Sequence, residues 1–130
     1  MICVFYETPF FTRRIAELLD DETYRQLQNA LQDNPAKGEV MQGCGGIRKV
    51  RLEAPKRRKG KRGGLRVGGI LAACSVIYLH VPEAQCIYFV TIYGKDEQDD
   101  LTGQQKKVLK AIAEQTRKTL RLKQRRKGKD

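Results

Sequence analysis

Residues 47–52 read IRKVRL, and how these six residues alternate decides what kind of fold the chain can have. In an extended strand successive side chains point to opposite faces. Val50 and Leu52 then share one face, while Lys49 and Arg51 share the other. The apolar face needs a cover, and the preceding chain supplies one. Ile2 to Tyr6 is a short apolar and aromatic strand, after which Thr8 can cap a helix with Pro9 in its first turn. Phe11, Ile15 and Leu18 recur at helical spacing up to the acidic group Asp20-Asp21-Glu22. Those acids suit the start of a second helix, whose stripe is Tyr24, Leu27 and Leu31 and whose end is Asn34-Pro35. The spacing predicts a helical hairpin laid over Val50 and Leu52, with Lys49 and Arg51 looking out of the opposite face.

Downstream, Gly38, Gly43, Gly45 and Gly46 predict irregular chain before the strand, and KRRKGKRGG at 56–64 predicts a basic glycine loop after it. Two apolar strands follow, Val76 to Val81 and Cys86 to Tyr93, separated by a turn at Pro82-Glu83-Ala84. Thr102 caps a last helix with Gln105 three residues on as a capping box, and Val108, Leu109 and Ile112 point inward. Beyond Arg117 the sequence is too basic to pack and is expected to fray or to bind phosphate. The reading is one domain over 1–117 with a basic C-terminal tail, expected to be flexible, over 118–130. Its fold class is α+β, an antiparallel-dominated sheet with the N-terminal hairpin on one face and a C-terminal helix, the helices being expected on the same sheet face.

Lys plus Arg outnumber Asp plus Glu by 26 to 15 in 130 residues, a formal charge of +11. That balance points to a polyanionic partner, with RNA, DNA and acidic lipid headgroups all open on charge alone. Glu7 and Pro9 interrupt the N-terminal apolar run, so secretion is not expected. The run Ile70 to Val81 falls short of the ~20 residues that a spanning helix needs. Cys3, Cys44, Cys74 and Cys86 lie far apart, and His80 is the single histidine. The spacing points away from a metal site and toward buried free thiols in a reducing cytosol. His80, on an apolar strand, reads as a core or rim residue.

Three stretches taken in order, Gly45-Gly46-Ile47-Arg48-Lys49-Val50-Arg51, Lys59-Gly60-Lys61-Arg62-Gly63-Gly64, and Thr91-Ile92-Tyr93-Gly94-Lys95-Asp96-Glu97 followed by Asp100-Leu101, give the chain a family likeness. It resembles the RelE/HigB toxins of bacterial type II toxin–antitoxin systems over nearly its whole length up to the last helix. The resemblance implies a RelE-like fold, cytoplasmic endoribonuclease activity on mRNA at the ribosome, no cofactor, no membrane, and a cognate antitoxin, acidic or of the helix-turn-helix kind. Carried over by position, it nominates Lys49, Arg51, Lys61, Arg66, Tyr93 and Lys95 around the scissile phosphate. The neighbouring basic residues Arg48, Lys56, Arg57, Arg58, Lys59 and Arg62 are expected to hold the RNA backbone. The C-terminal tyrosine of some relatives has no counterpart between Leu101 and Lys118, and Tyr93 stands nearest to its role.

The chemistry itself sets the requirements. Attack of a ribose 2′-hydroxyl on its own phosphate needs a base, a proton donor to the leaving 5′-oxygen, and cations against charge growing on the non-bridging oxygens. The planar fork of arginine answers the last need, and a lysine crowded among other cations loses its proton more readily and can answer the first. Basic side chains on a sheet face also occur in plain RNA-binding domains, so a catalytically disarmed relative that binds RNA or an antitoxin is the alternative. A departure from the family pattern motivates it: the match after Arg66-Val67 is restored at Ile77-Tyr78 only by lifting out Gly68 through Val76. Either Leu65-Arg66-Val67 keeps its ladder place while Ile70 to Ser75 loops out, or the strand is Ile70 to Val81 and Arg66 joins the basic loop. The apolar run Ile70 to Cys74 favours the second.

Overall fold

The computed structural model describes residues 3–52, 74–94 and 101–129, the stretch 123–129 by its backbone alone. The elements are β1 (Val4–Glu7), α1 (Pro9–Leu18), α2 (Asp21–Asp33), β2 (Glu39–Val40), β3 (Arg48–Leu52), β4 (Cys74–Val81), a single 3-10 turn (Pro82–Ala84), β5 (Cys86–Gly94) and α3 (Gly103–Lys129). One sheet of order β1-β5-β4-β3-β2 holds the five strands, with β1 parallel to β5 and every other pair antiparallel. The fold class is as expected from the sequence: mixed α+β with an antiparallel-dominated sheet, an N-terminal helical hairpin and a C-terminal helix.

The helix starts are where the side chains put them. The Thr8 hydroxyl accepts from Phe11 N at 3.1 Å and donates to Val90 O at 2.7 Å, so one side chain caps α1 and ties it to β5. Asp20 accepts from Thr23 N at 2.8 Å and starts α2. At α3, Gln105 N donates to the Thr102 hydroxyl at 3.1 Å and Thr102 N donates to Gln105 Oε1 at 2.9 Å, which closes the capping box.

Two apolar clusters lie on the two faces of the sheet. On one face Phe11 and Ile15 of α1 and Leu27 and Leu31 of α2 cover Val50, Val76, Tyr78, Ile87, Phe89 and Ile92. The Phe89 ring lies near-parallel to Phe5 and Phe11 at centroid separations of 5.6 and 4.9 Å. On the other face Leu109 and Ala113 of α3 pack over Ile77, Leu79, Val81, Val90 and Tyr93. The helices therefore do not share a sheet face as expected. Strand β4 is buried on both its faces, and only a layer on each side can dry it. Between Ile77 and Tyr78 the β4–β5 register shifts by one, leaving Val90 as the extra residue of β5. The bulge resets the alternation, so that Phe89 and Ile92 both face the hairpin.

Cys74, Ser75 and Val76, which the family comparison had set apart with the lifted-out segment, are ladder residues of β4, opposite Leu52, Arg51 and Val50. Ser75 therefore does not loop out. Residues 65–73, on which the rest of that choice turns, lie outside the described residues. The helix also runs on past Arg117: Leu120 packs against the α3-side cluster and Arg121 reaches Glu83 at 3.6 Å. All four cysteines are buried and unbridged. Burial, aided by the nearby Cys3 thiol, pushes the Cys86 thiol up to about 11, which keeps it protonated and inert.

Candidate nucleic-acid interface

Alternation along β3 separates its three cations. Val50 and Leu52 turn toward the helical hairpin, so Lys49 and Arg51 stand on the face that carries α3. Across the sheet Arg51 is opposite Ser75, and Ser75 is opposite Tyr93; likewise Lys49 is opposite Ile77, and Ile77 opposite Thr91. A guanidinium, a hydroxyl and a phenol thus lie in one row across three strands, their outer Cα atoms two strand spacings apart, roughly 10 Å. Arg51 is exposed and Lys49 half-buried, whereas Tyr93 is 6% exposed and Ser75 6%. The cations are the accessible end of the row, and Tyr93 packs into the α3-side cluster.

Arg48 does not join them. It sits opposite Tyr78, on the hairpin face, where its guanidinium donates to Gly38 O at 2.7 Å and to Ala36 O at 3.3 Å. The Tyr78 hydroxyl donates to Pro35 O at 2.8 Å and accepts from Gly38 N at 2.9 Å. Together they clamp the 35–38 loop over the sheet. A Cβ on Gly38 would stand 2.8 Å from Lys49 O and 2.9 Å from the Tyr78 ring, so the loop approaches this closely only with glycine there. Arg48 is spent on carbonyls that the loop leaves exposed, on the far side of the sheet from Lys49 and Arg51.

The turn before β3 sets where α3 lies. Gly45 and Gly46 have φ of +70° and +93°, and Arg117 Nη1 donates to Gly45 O at 2.6 Å. A Cβ on Gly46 would run into Arg117 Nη2, and one on Gly45 would meet Ala113 Cβ at 3.3 Å and Lys110 Cγ at 3.5 Å. Glycine at both positions lets α3 rest directly on the turn. The contacts also assign the helix flanks: Lys110, Ala113 and Arg117 face the turn that leads into β3, and Lys106 continues their line one turn toward the N-terminus.

Lys49 and Arg51 of β3 thus stand on the sheet face that α3 covers, with Lys110 of α3 against the turn that leads into that strand. Arg51, Lys106, Lys107 and Lys110 make no ion pair among the described residues, so their charge stays available to a polyanion. Sequence reasoning missed the α3 lysines. A signal was present in the i, i+4 spacing of Lys106 and Lys110, on the same face as Arg117. Of the other nominated residues, Lys61, Arg66, Lys95, Lys56, Arg57, Arg58, Lys59 and Arg62 lie outside the described residues. His80 is a half-buried rim residue whose pKa is lowered by burial, then by Arg48, against the opposing pull of Glu83. Among the described residues no group of three His, Cys, Asp or Glu could hold a metal, and no helix is long and apolar enough to cross a membrane.

No family model matches the sequence. Among solved structures the chain is similar to a mutant of the E. coli toxin RelE in its free state, with a TM-score of 0.52 and 10% sequence identity, covering 76% of this chain and 90% of that one. The likeness is one of fold, and the fold of this chain is RelE-like.

Proposed function

We propose that the chain is a toxin of the RelE/HigB kind, a cytoplasmic, ribosome-dependent endoribonuclease that cuts translated mRNA by attack of a 2′-hydroxyl on the scissile phosphate and is neutralised by a cognate antitoxin. The observation that carries the reading is the pair Lys49 and Arg51 on the α3-side face of β3, with Lys110 of α3 against the turn that leads into that strand, on a RelE-like fold. RNA threaded there would meet Arg51 as the phosphate clamp, its charge set against the non-bridging oxygens as they gain charge. Lys49, the more buried of the two, is the candidate base. Tyr93 acts as a positioning residue: its ring packs with the cluster beneath the row while Ser75 and Arg51 lie above it in register. Lys61, Arg66 and Lys95 complete the family's constellation by position, and Lys56, Arg57, Arg58, Lys59 and Arg62 extend the RNA contact.

Primer extension on mRNA from cells expressing the chain is expected to show new cuts inside translated codons, absent with Arg51→Ala. Uncut transcripts and normal growth would instead leave the disarmed RNA-binding relative, which the extra residues between Val67 and Ile77 motivate. That reading predicts salt-sensitive RNA binding without cleavage.

A further inference from the structure

Ser75 of β4, 6% exposed, is the only buried polar side chain, tyrosines aside, among the described residues. Its hydroxyl makes no hydrogen bond within the described chain. A hydroxyl withdrawn from water without a partner costs stability, and nothing in the strand requires one there. The other side chains on the same face of β4 are Ile77, Leu79 and Val81, and an aliphatic at 75 would extend that series and pair as well. Serine is smaller than any of them, so the face dips at this point. The dip is flanked by Arg51 on β3 and by Tyr93 on β5, each directly opposite Ser75 and one strand spacing away, roughly 4.8 Å.

From this we infer that Ser75 touches the substrate: in the proposed reaction its hydroxyl donates to a non-bridging oxygen of the phosphate that Arg51 grips. The inference rests on the nuclease part of the proposed function and adds to it a contact from the central strand. Two features choose that atom. Arg51 is exposed and free of ion pairs, so its guanidinium draws a phosphate to this end of the row, within reach of the neighbouring hydroxyl. An O–H donor gains strength as charge grows on its acceptor, most of all in a site where water is scarce, whereas a serine hydroxyl is too weak a base to take the proton of the attacking 2′-hydroxyl. A side chain that the fold does not need, beside a cation that the fold does not use, is the pattern of a residue kept for the reaction at some cost in stability.

The test is the single-turnover cleavage of a ribosome-bound message that carries, at the cut site, the normal phosphate or either of its two phosphorothioate diastereomers, by the full chain and by Ser75→Ala, with urea unfolding of both. Ser75→Ala is expected to cut the all-oxygen message about 10–100-fold more slowly, the loss of one hydrogen bond to a charged group, with RNA affinity little changed. Its urea midpoint should be unchanged or raised, because an unpartnered hydroxyl has been removed. One diastereomer should be slowed by the same factor as the all-oxygen message. The other should be slowed far less, since there sulfur, a weak acceptor, has already replaced the oxygen that Ser75 contacts. Equal slowing on all three messages assigns the hydroxyl to the fold and overturns the inference. An unchanged rate on the all-oxygen message also overturns it, and leaves the nuclease reading standing. A wild-type chain that cuts none of the messages overturns the nuclease reading and the inference with it.

Discussion

On the side of α3 that rests on the turn at Gly45 and Gly46, Lys106, Lys110 and Arg117 follow one another along the helix; on the side that faces α1, Gln104, Val108 and Ile112 do. Lysine, glutamine and arginine are all good helix formers, so the helix did not need its charges sorted in order to form. The sorting follows what each flank meets. The charged flank shares a sheet face with Lys49 and Arg51 of β3, and like charges on one surface cost stability unless a polyanion neutralises them. The other flank overlooks an aromatic strand edge and stays uncharged. One helix thus carries a cationic flank and an apolar one, and the contact of Arg117 with Gly45 and Gly46 fixes which way each points.

Breaking that anchor should have the largest effect on stability. Gly46→Ala puts a Cβ against Arg117 at a left-handed backbone position and is expected to cost about 1–3 kcal/mol, read from urea unfolding. Wild-type stability in this variant would mean that α3 does not depend on the turn. Arg48→Ala removes bonds to Gly38 O and Ala36 O on the hairpin side, and is expected to cost about 1–1.5 kcal/mol while leaving RNA cleavage per folded molecule unchanged. A cleavage defect without a stability defect would return Arg48 to the RNA site. Lys106→Gln with Lys110→Gln should lower RNA affinity several-fold and reduce the salt slope by about 1 per lysine, whereas Phe10→Asp should leave that slope alone. Equal slopes for all three chains would erase the distinction between the flanks.

The smallest expected effect concerns His80. Its folded-state pKa is depressed below 6.5, so the folded chain binds fewer protons than the unfolded one in the window beneath that value. The stability linked to it is present in full above pH 6.5 and is lost as the pH falls toward the folded-state pKa. His80→Gln should flatten the fall in urea midpoint between pH 6.5 and 5; an unchanged fall would place the acid sensitivity elsewhere.

Much of the fold was legible. The alternation at 47–52 identified β3 and assigned Lys49 and Arg51 to one face, and the capping pair Thr102 and Gln105 marked the start of α3 because both halves of that bond are local. Which face α3 covers was not legible from α3 itself, since its Val108, Leu109 and Ile112 stripe would suit either side. The decisive signal lay in β4, where the unbroken apolar run Val76 to Leu79 already requires cover on both faces. Strand β2, two residues long, is too short for any pattern. In the site, Arg48 was grouped with the RNA-binding residues by charge, although the alternation that paired Lys49 with Arg51 places it on the opposite face. Lys106 and Lys110 went unnoticed because only the contact of Lys110 with Gly45 shows which flank of α3 lies against the turn.

The central claim is that Lys49 and Arg51 act on the reacting phosphate rather than merely attract RNA. Its most direct test is the single-turnover cleavage rate on a ribosome-bound message, measured with RNA affinity, for the wild type, Lys49→Ala, Arg51→Ala and a chain ending at Leu122. The alanine variants are expected to cut about 10²–10³-fold more slowly with affinity changed only a few-fold. The truncated chain, having lost the screened charges of Lys123, Arg125, Arg126, Lys127, Lys129 and Asp130, should cut at nearly the wild-type rate and bind modestly less well. Normal cleavage by both alanine variants, with cleavage abolished by the truncation, would contradict the account and move the site to the end of α3.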